Sequence, residues 1–284
     1  MTPQLSKMYE QVAHLVKNSQ HVTLNREELP ELAHAIQPYY QQYLEKAISP
    51  RTPTLHEILF TLFANSINYC FWSGRHDFYP AKGGSSLVWV AAQESLKEPN
   101  LADCIQRFRT LIHNTAMPLL PERVEMIDEL AQILPANLTE ISQRFVKGAN
   151  LPDLVEFLTQ TFPITYGQDP FLKRPALALQ LLHEDTGFGT EVEALPIPAD
   201  YQVPKVFNAW GLLKYSPELA FHVDNDVAIA LGSQMEMEIR AFTIEVGRLL
   251  LEEYDIPPHV TDRFVWTQRK QYTNPFHLTV TTHY

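Results

Sequence analysis

The apolar residues of this chain recur mainly at the spacing of an α-helix, and this pattern limits the fold more than any other feature. Between Asn25 and Ala47, leucine, isoleucine and tyrosine side chains fall three and four residues apart, which places them on one stripe of a helix. Thr54 and Glu57 form a capping box, and the segment after them is apolar on all sides to about Trp72. The sequence therefore predicts an amphipathic helix followed by a buried one.

Further helices are expected where capping residues precede periodic apolar segments. Their predicted starts are Asn100, Pro121, Asn137, Pro152, Phe171, Pro204 and Ser233, with Gly148 ending the helix that begins at Asn137. Strand patterns are few, at HVTL (21–24) and HLTVTTHY (277–284). Proline and glycine are scattered rather than gathered into a linker. We expect a mainly α fold, a compact multi-helix body with a small β element, in a single domain spanning residues 1–284.

Composition and motifs exclude several classes of protein. The 22 basic and 33 acidic residues give a net charge of −11, which argues against a broad nucleic-acid surface but leaves small anions open. Two cysteines, no signal-peptide layout and no apolar segment of membrane-spanning length indicate a cytoplasmic protein without a membrane partner. The sequence has no HExxH, CxxC, P-loop, GxGxxG or GxSxG motif, and its 11 histidines are dispersed, so no metal site is expected.

Two segments combine residue types that suit ligand binding, although each also has a structural interpretation. In NSINYCFWSGRHD (65–77), Asn68 and Trp72 would share a helix face, where an amide beside aromatic rings can bind a flat heterocycle. A helix end with core aromatics explains the segment equally well. In DPFLKRPALALQLL (169–182), Lys173 and Arg174 fall near a helix start, where cations oppose the helix dipole. A bound phosphate would explain this placement, as would a solvated face.

Two later segments carry carboxylates with structural explanations of their own. In GSQMEMEIR (232–240), Glu236 can cap a helix and pair with Arg240 one turn later. In ALPIPADYQVPKVFNAWG (194–211), Asp200 stands among prolines and suits an Asx-turn before a helix. Taken alone, the residues favour these structural roles.

In their order along the chain, these segments resemble those of the queuosine salvage proteins, the queuosine 5′-phosphate N-glycosylases. The matching segments are VKNSQHVTL (16–24), INYCFWS (67–73), PFLKRPALALQ (170–180), ADYQVPKV (199–206), YS (215–216), GSQMEMEIR (232–240), TDRFVW (261–266) and PFH…Y (275–284). The resemblance implies a fold similar to helix-hairpin-helix DNA glycosylases. It also implies cofactor-free hydrolysis of queuosine 5′-monophosphate to queuine and ribose 5-phosphate, so that queuine can re-enter tRNA.

The resemblance assigns roles to individual residues. Asp200, in the ADY motif, is the expected catalytic carboxylate, because positive charge develops on the ribose as the glycosidic bond breaks. Its neighbours Ala199 and Tyr201 are expected to contact the substrate. The base is expected to meet Asn68, Phe71, Trp72, Asp262 and Trp266, and the 5′-phosphate to meet Lys173, Arg174, Lys205, Arg240 and His277.

Some positions depart from the family pattern. Gln202 and Lys205 replace the usual Arg and Gln, and Leu278 and Val280 replace a His and an Arg. Two alternatives therefore stay open: a glycosylase for the nucleoside or another deazapurine nucleotide, and a non-catalytic queuine-binding protein. A local cationic pocket in an acidic protein favours a mononucleotide, so direct tRNA binding is not expected.

Overall fold

A computed structural model describes residues 1–46, 48–72 and 84–284 of the chain. In these ranges the chain forms twelve α-helices and two short strands, which confirms the mainly α prediction. The helices are α1 (Pro3–Lys17), α2 (Leu29–Glu45), α3 (Leu55–Ser66), α4 (Gly84–Ser95), α5 (Leu101–His113), α6 (Leu120–Arg144), α7 (Leu151–Thr161), α8 (Lys173–Thr186), α9 (Gln202–Ala209), α10 (Pro217–Asp224), α11 (Gln234–Tyr254) and α12 (Pro258–Gln268); the strands are β1 (Val22–Leu24) and β2 (Leu213–Tyr215).

The chain divides into two compact units. Unit 1 comprises Met1–Ala47 and Val192–Thr281, and unit 2 comprises Ile48–Glu191 and Thr282–Tyr284. The last residues are tied to unit 2 by a hydrogen bond from the Cys70 amide to the Tyr284 carbonyl, at 3.0 Å. The prediction of a single functional domain stays a prediction.

Unit 1 is built on α11, which is buried along most of its length and packs against α1, α9, α12 and β1. Glu238 of α11 is fully buried, and its carboxylate accepts hydrogen bonds from the amides of Gln20, His21 and Val22 at 2.8, 2.7 and 2.9 Å. These bonds fix the segment that enters β1, which pairs antiparallel with β2 in the register Val22 to Tyr215. The predicted strand in HVTL is thus confirmed.

Unit 2 is built on α3, whose second half is buried on every side. The predicted capping box starts this helix: Thr54 Oγ1 accepts from the Glu57 amide at 3.2 Å, and the Thr54 amide donates to Glu57 Oε2 at 2.7 Å. Helices α4, α6 and α8 pack against α3. Buried Glu129 of α6 accepts from the amides of Ile164 and Thr165 at 2.8 and 2.7 Å, so that an interior carboxylate holds a loop in unit 2 as Glu238 does in unit 1.

Most predicted helix starts are confirmed. Asn100 and Ser233 cap α5 and α11 through their side chains, and Pro121 and Pro152 lie in the first turns of α6 and α7. The predicted helix over 25–47 is α2, preceded by a 3-10 turn at Arg26–Glu28, while Ala47 lies outside the described residues. Helices α1, α4, α10 and α12 and strand β2 were not predicted.

Three expectations about the helices and strands are wrong. Helix α3 ends at Ser66 rather than near Trp72, since Ile67 leaves the helical conformation. No helix begins at Asn137, because α6 continues through Pro135 to Arg144 and the Asn137 amide nitrogen donates to the Ile133 carbonyl at 2.9 Å. The segment 277–284 is not a strand, although the Leu278 carbonyl accepts from the Ile229 amide at 2.8 Å.

No helix among the described residues is both long enough and apolar enough to cross a membrane.

Candidate active site

Asp200 lies in unit 1 immediately before α9, and its carboxylate is held by the main chain. Oδ1 accepts from the amides of Gln202 and Val203 at 2.7 and 3.1 Å, and the Asp200 amide donates to the Pro198 carbonyl at 2.9 Å. The residue is 8% exposed. The Asx-turn that the sequence suggested is confirmed. This turn also fixes the orientation of a nearly buried carboxylate, so that the structural interpretation is compatible with a chemical role.

Arg240 of α11 supports the same turn from the core. Its Nε donates to the Ala199 carbonyl at 3.0 Å, and its NH1 lies 3.6 Å from Glu236 Oε1. Both charged side chains are fully buried, which confirms the predicted pair. Because the guanidinium binds the peptide that precedes Asp200, it holds the catalytic candidate in place through the backbone.

His277, also predicted to contact the substrate, is buried beside Arg240. Burial, and then the positive charge of Arg240, lower the pKa of His277 to about 3. The imidazole is therefore neutral at ordinary pH, so that one ring nitrogen donates a hydrogen bond, the other accepts one, and the ring has no charge to attract a phosphate.

An aromatic and acidic surface lies beside the Asp200 turn. The rings of Tyr201 and Phe276 pack at a centroid distance of 5.0 Å, and both residues are buried. Asp262 and Trp266 are one turn apart on α12, which packs against α9, so their side chains share a helix face. Asp262 is buried and Trp266 is half-buried.

Arg269 joins these groups and was not identified from the sequence. Its guanidinium lies 3.8 Å from the ring centre of Trp266, and its NH1 donates to the Trp266 carbonyl. Burial lowers the pKa of Arg269, while the charges of Asp200, Tyr201 and Asp262 oppose that lowering. Both predicted carboxylates therefore act on one guanidinium. The sequence signal that could have identified Arg269 was its position three residues after Trp266, about one helical turn further, just past the end of α12.

Lys205, a predicted phosphate contact, lies against Arg269. Its Nζ donates to the Arg269 carbonyl at 3.2 Å, and its own carbonyl accepts from the Asn274 amide nitrogen at 2.9 Å. Burial lowers the pKa of Lys205, and the charge of Arg269 lowers it further. Unit 1 thus brings Asp200, Ala199, Tyr201, Lys205, Arg240, Asp262, Trp266 and His277 into one neighbourhood.

The other predicted site residues lie in unit 2. Asn68, Phe71 and Trp72 follow the end of α3, where Asn68 Nδ2 donates to Asn65 Oδ1 at 3.4 Å and both aromatic residues are buried. Because α3 ends at Ser66, Asn68 and Trp72 do not share a helix face, and that expectation is wrong. Residues 73–77 of the same predicted segment lie outside the described ranges.

Three buried cations of unit 2, Arg123, Lys173 and Arg174, form a carbonyl-bound cluster around this segment. Arg123 donates to the carbonyls of Ile67, Tyr69 and Cys70, the last two at 2.6 and 2.8 Å. Lys173 Nζ donates to the Asn68 carbonyl at 2.9 Å, and Arg174 NH1 donates to the Ser66 carbonyl. The interpretation of Lys173 and Arg174 as a solvated face is wrong, since they are 4% and 1% exposed.

The model of the queuosine salvage protein family matches residues 48–284. The chain belongs to this family. A member from Dictyostelium discoideum is 25% identical over 258 residues, which cover 80% of each chain, and one from Sphaerobacter thermophilus is 26% identical over 260 residues, 79% of this chain and 80% of the relative. A Mus musculus member is 23% identical over 290 residues, 84% of this chain and 85% of the relative. All three are named queuosine 5′-phosphate N-glycosylase/hydrolase.

Proposed function

We propose that this chain is a hydrolase that cleaves the N-glycosidic bond of queuosine 5′-monophosphate. The products are queuine and ribose 5-phosphate, and queuine is thereby salvaged for tRNA. The observation that carries the proposal is the anchored, nearly buried carboxylate of Asp200, which lies inside the region that matches the family. The names of three relatives support the same reaction.

Asp200 is the proposed catalytic carboxylate. Cleavage of an N-glycosidic bond develops positive charge on the ribose ring, and a fixed carboxylate close to the ring stabilises that charge. The same group can orient or deprotonate the attacking water. Hydrogen bonds from Gln202 and Val203 and the support of Arg240 keep the carboxylate from reorienting as the charge develops.

The leaving group requires help that does not come from protonation at N7. Queuine is a 7-deazaguanine and has no ring nitrogen at that position, so hydrogen bonds to its polar edge and burial between aromatic side chains must assist departure. We assign Asp262 as the acceptor for the amino groups of the base, with Tyr201 and Trp266 beside it. Base contacts of Asn68, Phe71 and Trp72 stay predictions from the resemblance.

Positioning roles fit the buried cations better than phosphate contacts. Lys173, Arg174 and Arg240 all donate to main-chain carbonyls and are almost completely buried. A guanidinium or ammonium bound in this way contributes to the order of a loop. We therefore assign these three residues to holding the segments that carry Asn68 and Asp200.

The setting of the reaction is also proposed. The net charge of −11 favours a free mononucleotide over direct tRNA binding, and the two cysteines of the chain are too few for a disulfide framework, which suits the cytoplasm. The mechanism needs water but no metal or organic cofactor. Likeness to helix-hairpin-helix DNA glycosylases is proposed from the family resemblance, and the mainly helical fold is compatible with it.

Purified protein is expected to release queuine from queuosine 5′-monophosphate, as measured by mass spectrometry with an active relative as the control. Absence of free base, while the control is active, would overturn the proposal. Tight queuine binding by calorimetry without hydrolysis at any pH would favour the non-catalytic alternative. Equal rates on the nucleotide and the nucleoside would favour a nucleoside glycosylase.

Asp200→Asn is expected to lower kcat by about 1,000-fold or more, which is typical of the loss of a group that stabilises transition-state charge. Asparagine keeps the size of the side chain and an oxygen for the amides of Gln202 and Val203, so queuine binding should persist in calorimetry. Asp224→Asn removes an exposed carboxylate of the same unit and serves as the control. Retention of more than a tenth of wild-type activity by Asp200→Asn would exclude Asp200 as the charge-stabilising group.

A further inference from the structure

Lys205 and Arg269 are two half-buried cations of unit 1, and the Lys205 side chain contacts the backbone of Arg269. The Lys205 ammonium donates to the Arg269 carbonyl at 3.2 Å, and the positive charge of Arg269 lowers the pKa of Lys205. Within the described ranges, neither side chain has a carboxylate oxygen within the 4.0 Å limit of an ion pair. Two like charges near each other repel, and a bound anion relieves that repulsion.

In the part of the chain that the structure describes, both side chains have more N–H groups than hydrogen bonds. An ammonium has three N–H donors and a guanidinium has five. For the part of the chain that the structure describes, Lys205 uses one donor on the Arg269 carbonyl, and Arg269 uses NH1 on the Trp266 carbonyl. The guanidinium carbon lies over the Trp266 ring, 3.8 Å from its centre, and this contact limits the positions that the guanidinium can take. This arrangement suits recognition of an oxyanion by more than one hydrogen bond.

The two cations lie on segments next to Asp200, the catalytic candidate. Asp200 binds the first amides of α9, and Lys205 is on the same short helix, about one turn or ~5 Å further along its axis. Asp200 and Asp262 also act electrostatically on Arg269. In a nucleoside 5′-phosphate, one sugar ring separates the anomeric carbon, where charge develops, from the phosphate. A carboxylate at the start of α9 and a cation about one turn along the same helix are compatible with binding the two ends of a ribose phosphate.

We propose that Lys205 and Arg269 together bind the 5′-phosphate of the substrate. This assignment rests on the proposed function and adds Arg269 to the binding residues. The pair differs from Lys173, Arg174 and Arg240 in exposure, because those three side chains are almost completely buried whereas Lys205 and Arg269 are half-buried. Selectivity for the nucleotide over the nucleoside is therefore assigned to the end of α12 and the second turn of α9.

A competing role for Arg269 is to balance the charges of Asp200 and Asp262 without touching the substrate. The two roles predict different kinetics. If Arg269 contacts the phosphate, its removal slows hydrolysis of the nucleotide but not of the nucleoside. If Arg269 only balances the charges around Asp200, its removal alters hydrolysis of both substrates.

The test compares kcat/KM on queuosine 5′-monophosphate and on queuosine for the wild type, Lys205→Gln, Arg269→Gln and the double variant. Each single change is expected to lower kcat/KM on the nucleotide by about 10- to 100-fold, in line with a charge-assisted hydrogen bond, and to change the nucleoside value by less than about threefold. Lys270→Gln removes the same charge at the exposed neighbouring position and should behave as the wild type on both substrates. Equal losses on both substrates would overturn the inference.

Direct binding separates this inference from the proposed function. Ribose 5-phosphate and inorganic phosphate are titrated into each protein and followed by phosphorus NMR. Arg269→Gln should weaken both by about 10-fold or more, and Arg269→Lys should recover part of the loss. If the wild type releases no queuine but shows this binding pattern, the glycosylase proposal fails and the anion site stands. If the wild type is active but Arg269→Gln leaves phosphate binding and the nucleotide preference unchanged, the anion site is wrong.

Discussion

Two groups of cations, one in each unit, differ in how far their side chains are exposed. In unit 2, the carbonyl-bound cluster of Arg123, Lys173 and Arg174 is almost completely buried, and each member donates to the main chain between Ser66 and Cys70. In unit 1, Lys205 and Arg269 also donate to carbonyls, those of Arg269 and Trp266, but both side chains are half-buried. The contrast separates cations that complete a fold from cations that are available to a ligand.

The carbonyl-bound cluster is explained by the end of α3. The last four carbonyls of a helix have no intrahelical partner, and the helix dipole makes this end negative. Here the chain after Ser66 does not continue as regular structure, so carbonyls from Ser66 to Cys70 need donors. Three cations from α6 and α8 supply them. Their charge is favourable at this position because it meets the negative end of α3.

The same contacts explain how α8 tolerates two cations in its first turn. Lys173 and Arg174 oppose the dipole of their own helix but bind carbonyls at the end of α3. Asp169 compensates locally, since Oδ2 accepts from the Lys173 amide at 2.9 Å and Oδ1 from the Phe171 amide at 3.1 Å. No phosphate is required to account for the charges.

The largest stability effect in this comparison is expected for Arg123→Met. Methionine fills a similar volume but leaves the carbonyls of Ile67, Tyr69 and Cys70 without their donor, and an unsatisfied buried group costs about 1–3 kcal/mol. We expect the free energy of unfolding to fall by about 3 kcal/mol or more in denaturant titrations.

Arg107→Met is the matched control for Arg123→Met, because Arg107 is an exposed arginine of the same unit. Its effect should stay within about 0.5 kcal/mol. A loss of less than about 1 kcal/mol for Arg123→Met would contradict the structural role of the cluster and would reopen phosphate binding by Lys173 and Arg174.

Much of the fold could be predicted from the sequence because helix starts are local. The capping residues Thr54, Asn100 and Ser233 act on amides within three residues, and their signals are confirmed. Helix ends were harder. Helix α3 ends where distant cations bind its carbonyls, and α6 passes Pro135 because its buried face continues on both sides, with Leu134 and Ile141 fully buried. Tertiary contacts of this kind leave no trace in a short window of sequence.

The candidate site was predictable only in part, for a similar reason. The Asx-turn at Asp200 follows from local residues, whereas its catalytic role came from the resemblance to a family. The spacing of three residues between Trp266 and Arg269 indicates that these two side chains are close. The contact of Lys205 with the Arg269 carbonyl, and the effect of the Asp200 charge on Arg269, depend on the fold. The sequence shows where the cations stand, and the partner of each cation depends on the fold.

The smallest stability effect is expected for Lys205→Gln, a change in the half-buried pair of cations. The change removes one hydrogen bond to the Arg269 carbonyl but also removes a half-buried charge that Arg269 repels, so the free energy of unfolding should change by less than about 0.5 kcal/mol at pH 7. Because folding lowers the pKa of Lys205, its protonated form is disfavoured in the folded state. The wild type should therefore gain stability relative to Lys205→Gln as the pH rises toward the ordinary lysine pKa of about 10.4. A loss of more than about 2 kcal/mol at pH 7 would show that Lys205 has a structural role like that of the carbonyl-bound cations. A near-zero change in stability together with a large loss of nucleotide turnover would support its role in phosphate binding.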